Sequence, residues 1–200
     1  MPVMYREPSI IKKSKDGRVA AVDMASELLN SRVLLLEGEV NDVTCNGLIK
    51  SMLVLEHQSA TEPITLIINS PGGSVTAGLA LIDTMQSLDC PVITVGEGVV
   101  ASMAAVILAC GDRRQVYRHT QVLIHQRMGG TGMAQQTDIE IAAQHTAALR
   151  AELDELLAEH GNLSAQEFHE LTERDCWCNA KRALELGLVD EVIAPSKKAL

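Results

Sequence analysis

Apolar strand-like runs alternate with helix-like segments along most of the chain, and this alternation constrains the fold more than any other feature. The strand-like runs are Arg32 to Glu37, Ile64 to Ile68, Val92 to Val95, Gln121 to Ile124 and Val189 to Ile193. The helix-like segments are Asp23 to Asn30, Asn46 to Gln58, Val75 to Leu88 and Met103 to Ala109. This order predicts right-handed βαβ crossovers and a largely parallel sheet. A chain of 200 residues has room for one such α/β domain.

The longest predicted helix runs from Thr137 to His160 and is ended by Gly161. Its apolar side recurs at steps of three and four residues, through Ile139, Ala142, Ala143, Thr146, Leu149, Leu153, Leu156 and Leu157. A stripe of this length exceeds what one small domain readily covers, so we expect it to be buried between subunits of a symmetric oligomer. Burial in the core of the subunit is the alternative. After this helix, Ser164 and Glu167 form a capping box, and Gly187 ends a helix that begins near Asn179.

Composition excludes several classes of partner. The net charge of −9 and the pI near 5.1 argue against a nucleic acid or an anionic membrane, because phosphate binding needs a basic patch. No apolar run approaches the roughly 20 residues that cross a bilayer, and no signal peptide is visible. The five cysteines are an odd number, which disfavours a disulfide framework and fits a reducing cytoplasm. Cys176-Trp177-Cys178 lacks a second ligand pair nearby, so no metal site is expected.

The first 22 residues contain proline, lysine and serine with little periodicity. We therefore predict a mobile N-terminal arm over residues 1–22 and a single domain over residues 23–200.

Ser102 is the first candidate for chemistry, because it lies among small residues between an apolar strand and an apolar helix. Gly96 and Gly98 permit a sharp turn before it, and the first free N–H groups of the helix would lie beside it. Such a serine can act as a nucleophile with an oxyanion site next to it. The alternative is that Ser102 only caps the helix.

Other segments supply groups that a serine nucleophile needs. His125 ends an apolar strand and is followed by Gly129 and Gly130, so it is a candidate general base. Asn69 to Ser74 is a tight, glycine-containing turn that a substrate backbone could approach, and no Lys-Ser/Thr follows it to make a phosphate loop. Thr172 to Asp175 supplies a carboxylate that could orient His125.

These windows, in this order, resemble the proteolytic subunit family of the Clp protease from about Asp23 to Ile193. The matching motifs are Asn69-Ser70-Pro71-Gly72-Gly73, Ala77-Gly78, Asp83-Thr84-Met85-Gln86, Ala101-Ser102-Met103-Ala104, Ile124-His125-Gln126, Gly129-Gly130, Thr137-Asp138-Ile139-Glu140, Thr172-Glu173-Arg174-Asp175 and Gly187-Leu188-Val189-Asp190. The resemblance implies a spiral of stacked βαβ units, as in the crotonases, with a long protruding handle helix at about residues 137–160.

The resemblance also implies the roles of the site residues. Ser102 would be the nucleophile of a serine endopeptidase, His125 its general base and Asp175 the partner that orients the histidine. The backbone N–H groups of Gly73 and Met103 would form the oxyanion hole. An extended peptide would be held by residues that flank the cleft, namely Gly73, Ser74, Val75, Arg127 and Met128. No cofactor is implied, since ATP would be used by a partner.

The family further implies a homo-oligomer of two stacked heptameric rings, or a mixed ring with a paralogue, fed with polypeptide by an AAA+ unfoldase. This chain departs from the family pattern at Thr65, Ile67 and Ser87, where aromatic residues usually form the unfoldase docking pocket. Arg127 stands where proline usually follows His-Gln. Two alternatives remain: a specialised or regulatory ring subunit of a mixed assembly with limited activity of its own, and a crotonase that acts on acyl-CoA.

Overall fold

The computed structural model of the protein describes residues 8–13, 16–130 and 132–194. The strands are β1 (Ile10–Lys13), β2 (Val19–Val22), β3 (Val33–Val40), β4 (Ile64–Gly73), β5 (Val92–Ala101), β6 (Arg113–Tyr117), β7 (Gln121–Ile124), β8 (Cys176–Asn179) and β9 (Glu191–Ile193). The helices are α1 (Met24–Asn30), α2 (Asp42–Gln58), α3 (Val75–Ser87), α4 (Met103–Ala109), α5 (Gln136–His160), α6 (Ala165–Leu171) and α7 (Ala180–Glu185).

Strands β3 to β9 form a seven-stranded sheet in which parallel pairing dominates, as the sequence predicts. The order β3-β4-β5-β6-β9 is parallel at every step. The first half of β5 pairs with β6 and its second half pairs in parallel with β7, whose other edge carries β8 in antiparallel pairing. The predicted α/β class is therefore confirmed.

Several strands differ from the sequence prediction. Strands β4 and β5 continue through the glycine-rich segments for which the sequence predicts turns, because those segments still pair with β3, β5 and β7. Strand β6 was not predicted, since Arg113, Arg114 and Gln115 hide its apolar pattern, and its place beside β5 comes from tertiary pairing.

The predicted arm contains an antiparallel pair, β1 with β2, that its sequence did not indicate. Residues 1–7, 14 and 15 of the arm, and residues 195–200 of the predicted domain, lie outside the described residues. The mobility of the arm and the bounds of the domain stay predictions.

Helix α4 is the centre of the core, because all seven of its residues are buried. The side chain of Met103, at its start, lies against Gly78 of α3, where an added Cβ would come within 2.4 Å of the Met103 Cγ. Close approach of α3 and α4 thus holds the start of α4 in place, directly after Ser102.

Helix α5 confirms the long helix predicted for residues 137–160. Part of its apolar stripe is buried within the subunit and part of it is exposed. Leu149 and Leu157 are buried within the subunit itself, against the prediction that the whole stripe is covered by another subunit. The last part of α5 packs on α4 and α6, which explains this burial. Ile139 and Ile141, nearer the start of the helix, remain 45% and 60% exposed.

Arg114 joins the ends of several elements. Its side chain is 13% exposed and donates hydrogen bonds to the carbonyls of Ala109, His160 and Gly187 while it pairs with Asp190. These acceptors lie at the ends of α4 and α5, after α7 and before β9. One guanidinium therefore joins four parts of the fold, through three backbone carbonyls and the carboxylate of Asp190.

We expect Arg114→Met to lower the free energy of unfolding by about 2–4 kcal/mol, because buried carbonyls lose their donors and Asp190 loses its partner. Urea unfolding at a fixed protomer concentration measures this loss. The matched control is Arg113→Met, which removes an exposed pair with Glu191 and should cost less than about 1 kcal/mol. Equal losses in the two variants would contradict the clamping role of Arg114.

The same pair predicts a pH dependence. The side-chain hydrogen bond from Arg114 holds the pKa of Asp190 below its ordinary value. Its stabilisation is thus complete above the ordinary aspartate pKa and is lost as the pH falls through the lower pKa of the folded state. Arg114→Met should remove this part of the acid-side loss of stability.

Candidate active site

The pairing of β5 with β7 brings Ser102 and His125 together. Both strands point the same way, Ala101 pairs with Leu123, and the backbone N–H of Ser102 donates to the Leu123 carbonyl at 2.8 Å. Ser102 directly follows β5 and His125 directly follows β7. Because the carboxyl ends of parallel strands meet at one edge of a sheet, the two side chains share one site.

Ser102 occupies a strained turn between β5 and α4. Its backbone angles are φ 56° and ψ −127°, in a region that residues other than glycine rarely adopt. Ser102 is the N-cap residue of α4 by position, but its side chain makes no capping hydrogen bond to the helix. The hydroxyl is half-buried and is left available for chemistry.

Gly72 and Gly73 lie at the end of β4, and Gly72 packs tightly against this turn. Their φ angles are 88° and 151°, and an added Cβ on Gly72 would lie 2.5 Å from the Ala101 carbonyl oxygen and 2.7 Å from the Ser102 Cβ. The packing role of Gly72 was not predicted from the sequence. Met103 is the first residue of α4, so its N–H has no acceptor within the helix.

A cavity of about 420 Å³ opens at this point. It is lined by most of the residues predicted for catalysis and substrate binding, namely Gly73, Val75, Ser102, Met103, His125, Arg127 and Met128. Ser74 does not line it, because its Oγ caps α3 by accepting from the Ala77 N–H at 3.3 Å. The individual roles of these residues stay predictions.

Asp175 lies opposite His125 across the β7–β8 ladder, but no hydrogen bond joins the two side chains. Ile124 pairs with Cys176 in the antiparallel ladder, so Asp175 follows in register opposite His125. The His125 Nδ1 lies 2.7 Å from the Gln126 carbonyl oxygen instead, and the Asp175 side chain is exposed. Within the described residues no hydrogen bond joins His125 to Ser102 or to Asp175, so the structure does not close the predicted triad.

Arg150 of α5, which the sequence analysis missed, connects the two loops of the site. Its guanidinium donates to the Gln126 side-chain oxygen at 3.2 Å, to the His169 carbonyl at 3.0 Å and to the Glu173 carboxylate at 2.9 Å. Gln126 in turn donates to the carbonyls of Thr172 and Glu173. The hydrogen bond from Arg150 also lowers the pKa of the Glu173 carboxyl.

Asp154, one turn further along α5, is a second missed residue. Its side chain is 7% exposed, lines the same cavity and places Oδ2 2.7 Å from the His169 Nδ1. A signal for both residues was present in the sequence, since Arg150 and Asp154 fall on the apolar stripe at four-residue steps from Thr146. Charged residues are rarely buried on an apolar helix face unless they are paired, so their position there marks them for attention.

The five cysteines, none of which lines this cavity, are free thiols. The sulfur atoms of Cys176 and Cys178 lie 3.7 Å apart on β8. Burial of the Cys178 thiol, and secondly the neighbouring thiol of Cys176, raise the pKa of Cys178 to about 12. Within the described ranges no helix is long and apolar enough to cross a membrane.

Comparison with known proteins decides the family. A family model described as Clp protease matches residues 15–196. The chain belongs to the Clp protease family. Among similar proteins are the ATP-dependent Clp protease proteolytic subunits of Lactococcus lactis subsp. lactis strain IL1403, 41% identical, and of subsp. cremoris strain SK11, 40% identical, each over 192 residues. That of Streptococcus pneumoniae strain 70585 is 40% identical over 190 residues, and each alignment covers 94% of this chain and 96% of the relative.

Membership of the Clp protease family confirms the resemblance found in the sequence. It also confirms the predicted fold class and the prediction of a Clp-type serine protease subunit, at the level of the family.

We expect Gly72→Ala to displace the Ser102 turn, because its new methyl group would overlap the Ala101 carbonyl oxygen. Labelling by a fluorophosphonate probe, which reacts with activated serines, should fall at least about tenfold, since small displacements of reacting groups cost this much. Gly47→Ala is the matched control, because an added Cβ there meets nothing within 4 Å. Full labelling of a folded Gly72→Ala variant would contradict this account of the turn.

Proposed function

We propose that this chain is the proteolytic subunit of a Clp-type compartmental protease and that it cleaves unfolded polypeptides with Ser102 as nucleophile. One observation carries the proposal. Ser102 and His125 follow two adjacent parallel strands and line one cavity together with Gly73 and Met103.

The proposed reaction is acyl transfer through a covalent intermediate. Ser102 Oγ attacks the peptide carbonyl and its proton passes to His125, which then protonates the leaving amine. Water hydrolyses the acyl-enzyme with His125 as base. The N–H groups of Gly73 and Met103 would stabilise the oxyanion that forms in each step.

The orientation of His125 fits this role. The Gln126 carbonyl can only accept a hydrogen bond, so the 2.7 Å contact assigns the proton to Nδ1 and leaves Nε2 free to accept from Ser102. In the proposed triad the carboxylate of Asp175, opposite His125 in the ladder, takes the place of this carbonyl.

The substrate would bind as an added strand. The segments 73–75 and 127–128, apart from Ser74, line the cavity, and their backbone groups would bind an extended peptide. Arg127 is fixed by a 2.7 Å hydrogen bond to Thr146 of α5, which holds the second segment against the helix.

We expect Ser102→Ala to abolish probe labelling and to lower peptide hydrolysis at least about a thousandfold while assembly is unchanged, because only a hydroxyl is removed. Ser51→Ala, on α2, is the control that keeps full activity. His125→Ala should lose a comparable amount, since triad members act as a unit, and Asp175→Asn should lose less.

Unchanged turnover in Ser102→Ala would overturn the assignment of the nucleophile. Full activity in Asp175→Asn would show that another carboxylate, or the Gln126 carbonyl, orients the histidine.

Ring assembly belongs to the same proposal, as two stacked heptameric rings or as a mixed ring with a paralogue. The part of α5 that carries Ile139 and Ile141 exposes large apolar side chains, which fits a helix that is covered by another subunit. The N-terminal arm would line the axial pore of the ring.

We expect Ile139→Glu combined with Ile141→Glu to give single rings or smaller species on sizing, because two charges would enter a dry contact at several kcal/mol. Ala60→Glu with Thr61→Glu adds the same charge to an exposed loop and should leave the assembly intact. A wild-type protein that is monomeric at micromolar concentration would count against the chamber.

Partner and compartment follow from the same family. We propose an AAA+ unfoldase as the source of unfolded polypeptide, with ATP used there and no cofactor at Ser102. At the positions where the family usually has docking aromatics, this chain has Thr65 and Ile67, which are half-buried, and Ser87, which is exposed. None of these side chains offers an aromatic ring to an unfoldase. The free thiols fit the cytoplasm.

The alternatives are less well supported. The relatives at 40% identity are named as proteolytic subunits, which does not favour a purely regulatory ring subunit. A crotonase activity is not favoured either, since the match is to the Clp protease family.

A further inference from the structure

We propose that Asp154 makes this protease prefer bonds that follow a lysine or arginine, by accepting the cationic side chain at the buried end of the catalytic cavity. The inference rests on the proposed function, because it needs the cavity beside Ser102 to receive the side chain that precedes the cleaved bond. In serine proteases, the groups that line this pocket set the preference for that side chain.

Asp154 is a buried charge with little compensation. Its side chain is 7% exposed, and its single hydrogen bond within the described residues joins Oδ2 to the His169 Nδ1 at 2.7 Å. A carboxylate has about four acceptor positions. A buried carboxylate with so few donors is stabilised by any cation that reaches it.

The arginines that line the cavity are engaged elsewhere. Arg150 pairs with Glu173 and donates to Gln126 and to the His169 carbonyl, and no ion pair joins it to Asp154 in the described part of the chain. Its Nε is buried without a partner. Arg127 donates to the Thr146 hydroxyl. The negative charge of Asp154 is therefore not neutralised by the cavity wall.

His169 holds one oxygen of Asp154 in place. An ionised carboxylate can only accept, so the His169 Nδ1 carries the proton in their hydrogen bond. This contact fixes the direction of Oδ2 and leaves Oδ1 without a hydrogen-bond donor among the described residues.

The rest of the cavity suits a long cationic side chain. Val106, Ile124, Leu153 and Leu157 give it apolar walls, against which the methylene groups of lysine or arginine can pack. Ser102 and His125 are half-buried, whereas Val106, Asp154 and Leu157 are buried, so the side of the cavity that carries Asp154 is more enclosed than the reacting groups. Glu39, an exposed residue of the same lining, adds negative charge.

The test uses the full-length assembled protein and fluorogenic peptides that differ only in the residue before the cleaved bond. That residue is lysine, arginine, glutamine or norleucine, which matches the lysine chain without its charge. We expect kcat/KM for lysine to exceed that for norleucine at least about tenfold, since burying an unpaired charge in the pocket disfavours the neutral analogue.

Two variants assign the preference to Asp154. Asp154→Asn keeps the shape but removes the charge, so its lysine-to-norleucine ratio should fall about tenfold or more, because the lysine peptide loses its partner and the norleucine peptide no longer buries an unpaired charge. Glu155→Gln removes a neighbouring exposed charge and should leave the ratio unchanged. A merely structural role of Asp154 would lower hydrolysis of all four peptides together.

The possible results separate the two proposals. A wild-type ratio of one or less, with Ser102 labelled by the fluorophosphonate and the peptides cleaved, overturns the role of Asp154 alone, whether or not the variant folds. A wild-type preference that persists in Asp154→Asn also overturns it. A protein that neither reacts with the probe nor cleaves any peptide overturns the proposed function and this inference with it.

Discussion

The short parallel pairing between residues 99–101 of β5 and residues 121–123 of β7 is the contact on which the rest of the site depends. Strand β5 pairs with β6 as far as Gly96 and then with β7, so its carboxyl end lies beside β7 and not beside β6. The 2.8 Å hydrogen bond from the Ser102 N–H to Leu123 extends this pairing to the nucleophile. Strand order thereby sets the separation of Ser102 and His125 before any side-chain interaction does.

Strain at Ser102 is held by packing on both sides. The residue has a positive φ, its neighbour Gly72 lies in contact with it, and the buried helix α4 begins directly after it. A conformation of this kind costs about 1–3 kcal/mol and persists only where the surroundings determine it. The apolar burial of α4 supplies that determination, which links the core of the fold to the exposure of one hydroxyl.

Helix α5 contributes to the site from its packed half and remains uncovered in its other half. Arg150 and Asp154 lie on the same side as Leu149 and Leu157, so the surface that packs on α4 and α6 also carries charge into the cavity. Arg150 ties together the loops that carry His125 and Asp175. Ile139 and Ile141, near the start of the helix, remain exposed in the described part of the chain.

The sequence by itself determined the alternation of elements, the parallel sheet, the long helix at residues 137–160 and the small-residue setting of Ser102, because hydrophobic periodicity and glycine are local signals. It also indicated the family through motifs spread from Asn69 to Asp190, and it placed His125 at the end of its strand. Tertiary structure alone decided that β6 joins the sheet, that Leu149 is buried within the subunit, and that Arg150 and Asp154 reach the cavity. It also decided that the His125 Nδ1 faces the Gln126 carbonyl rather than Asp175. These outcomes depend on which distant segments come into contact, and no local pattern of residues encodes such contacts.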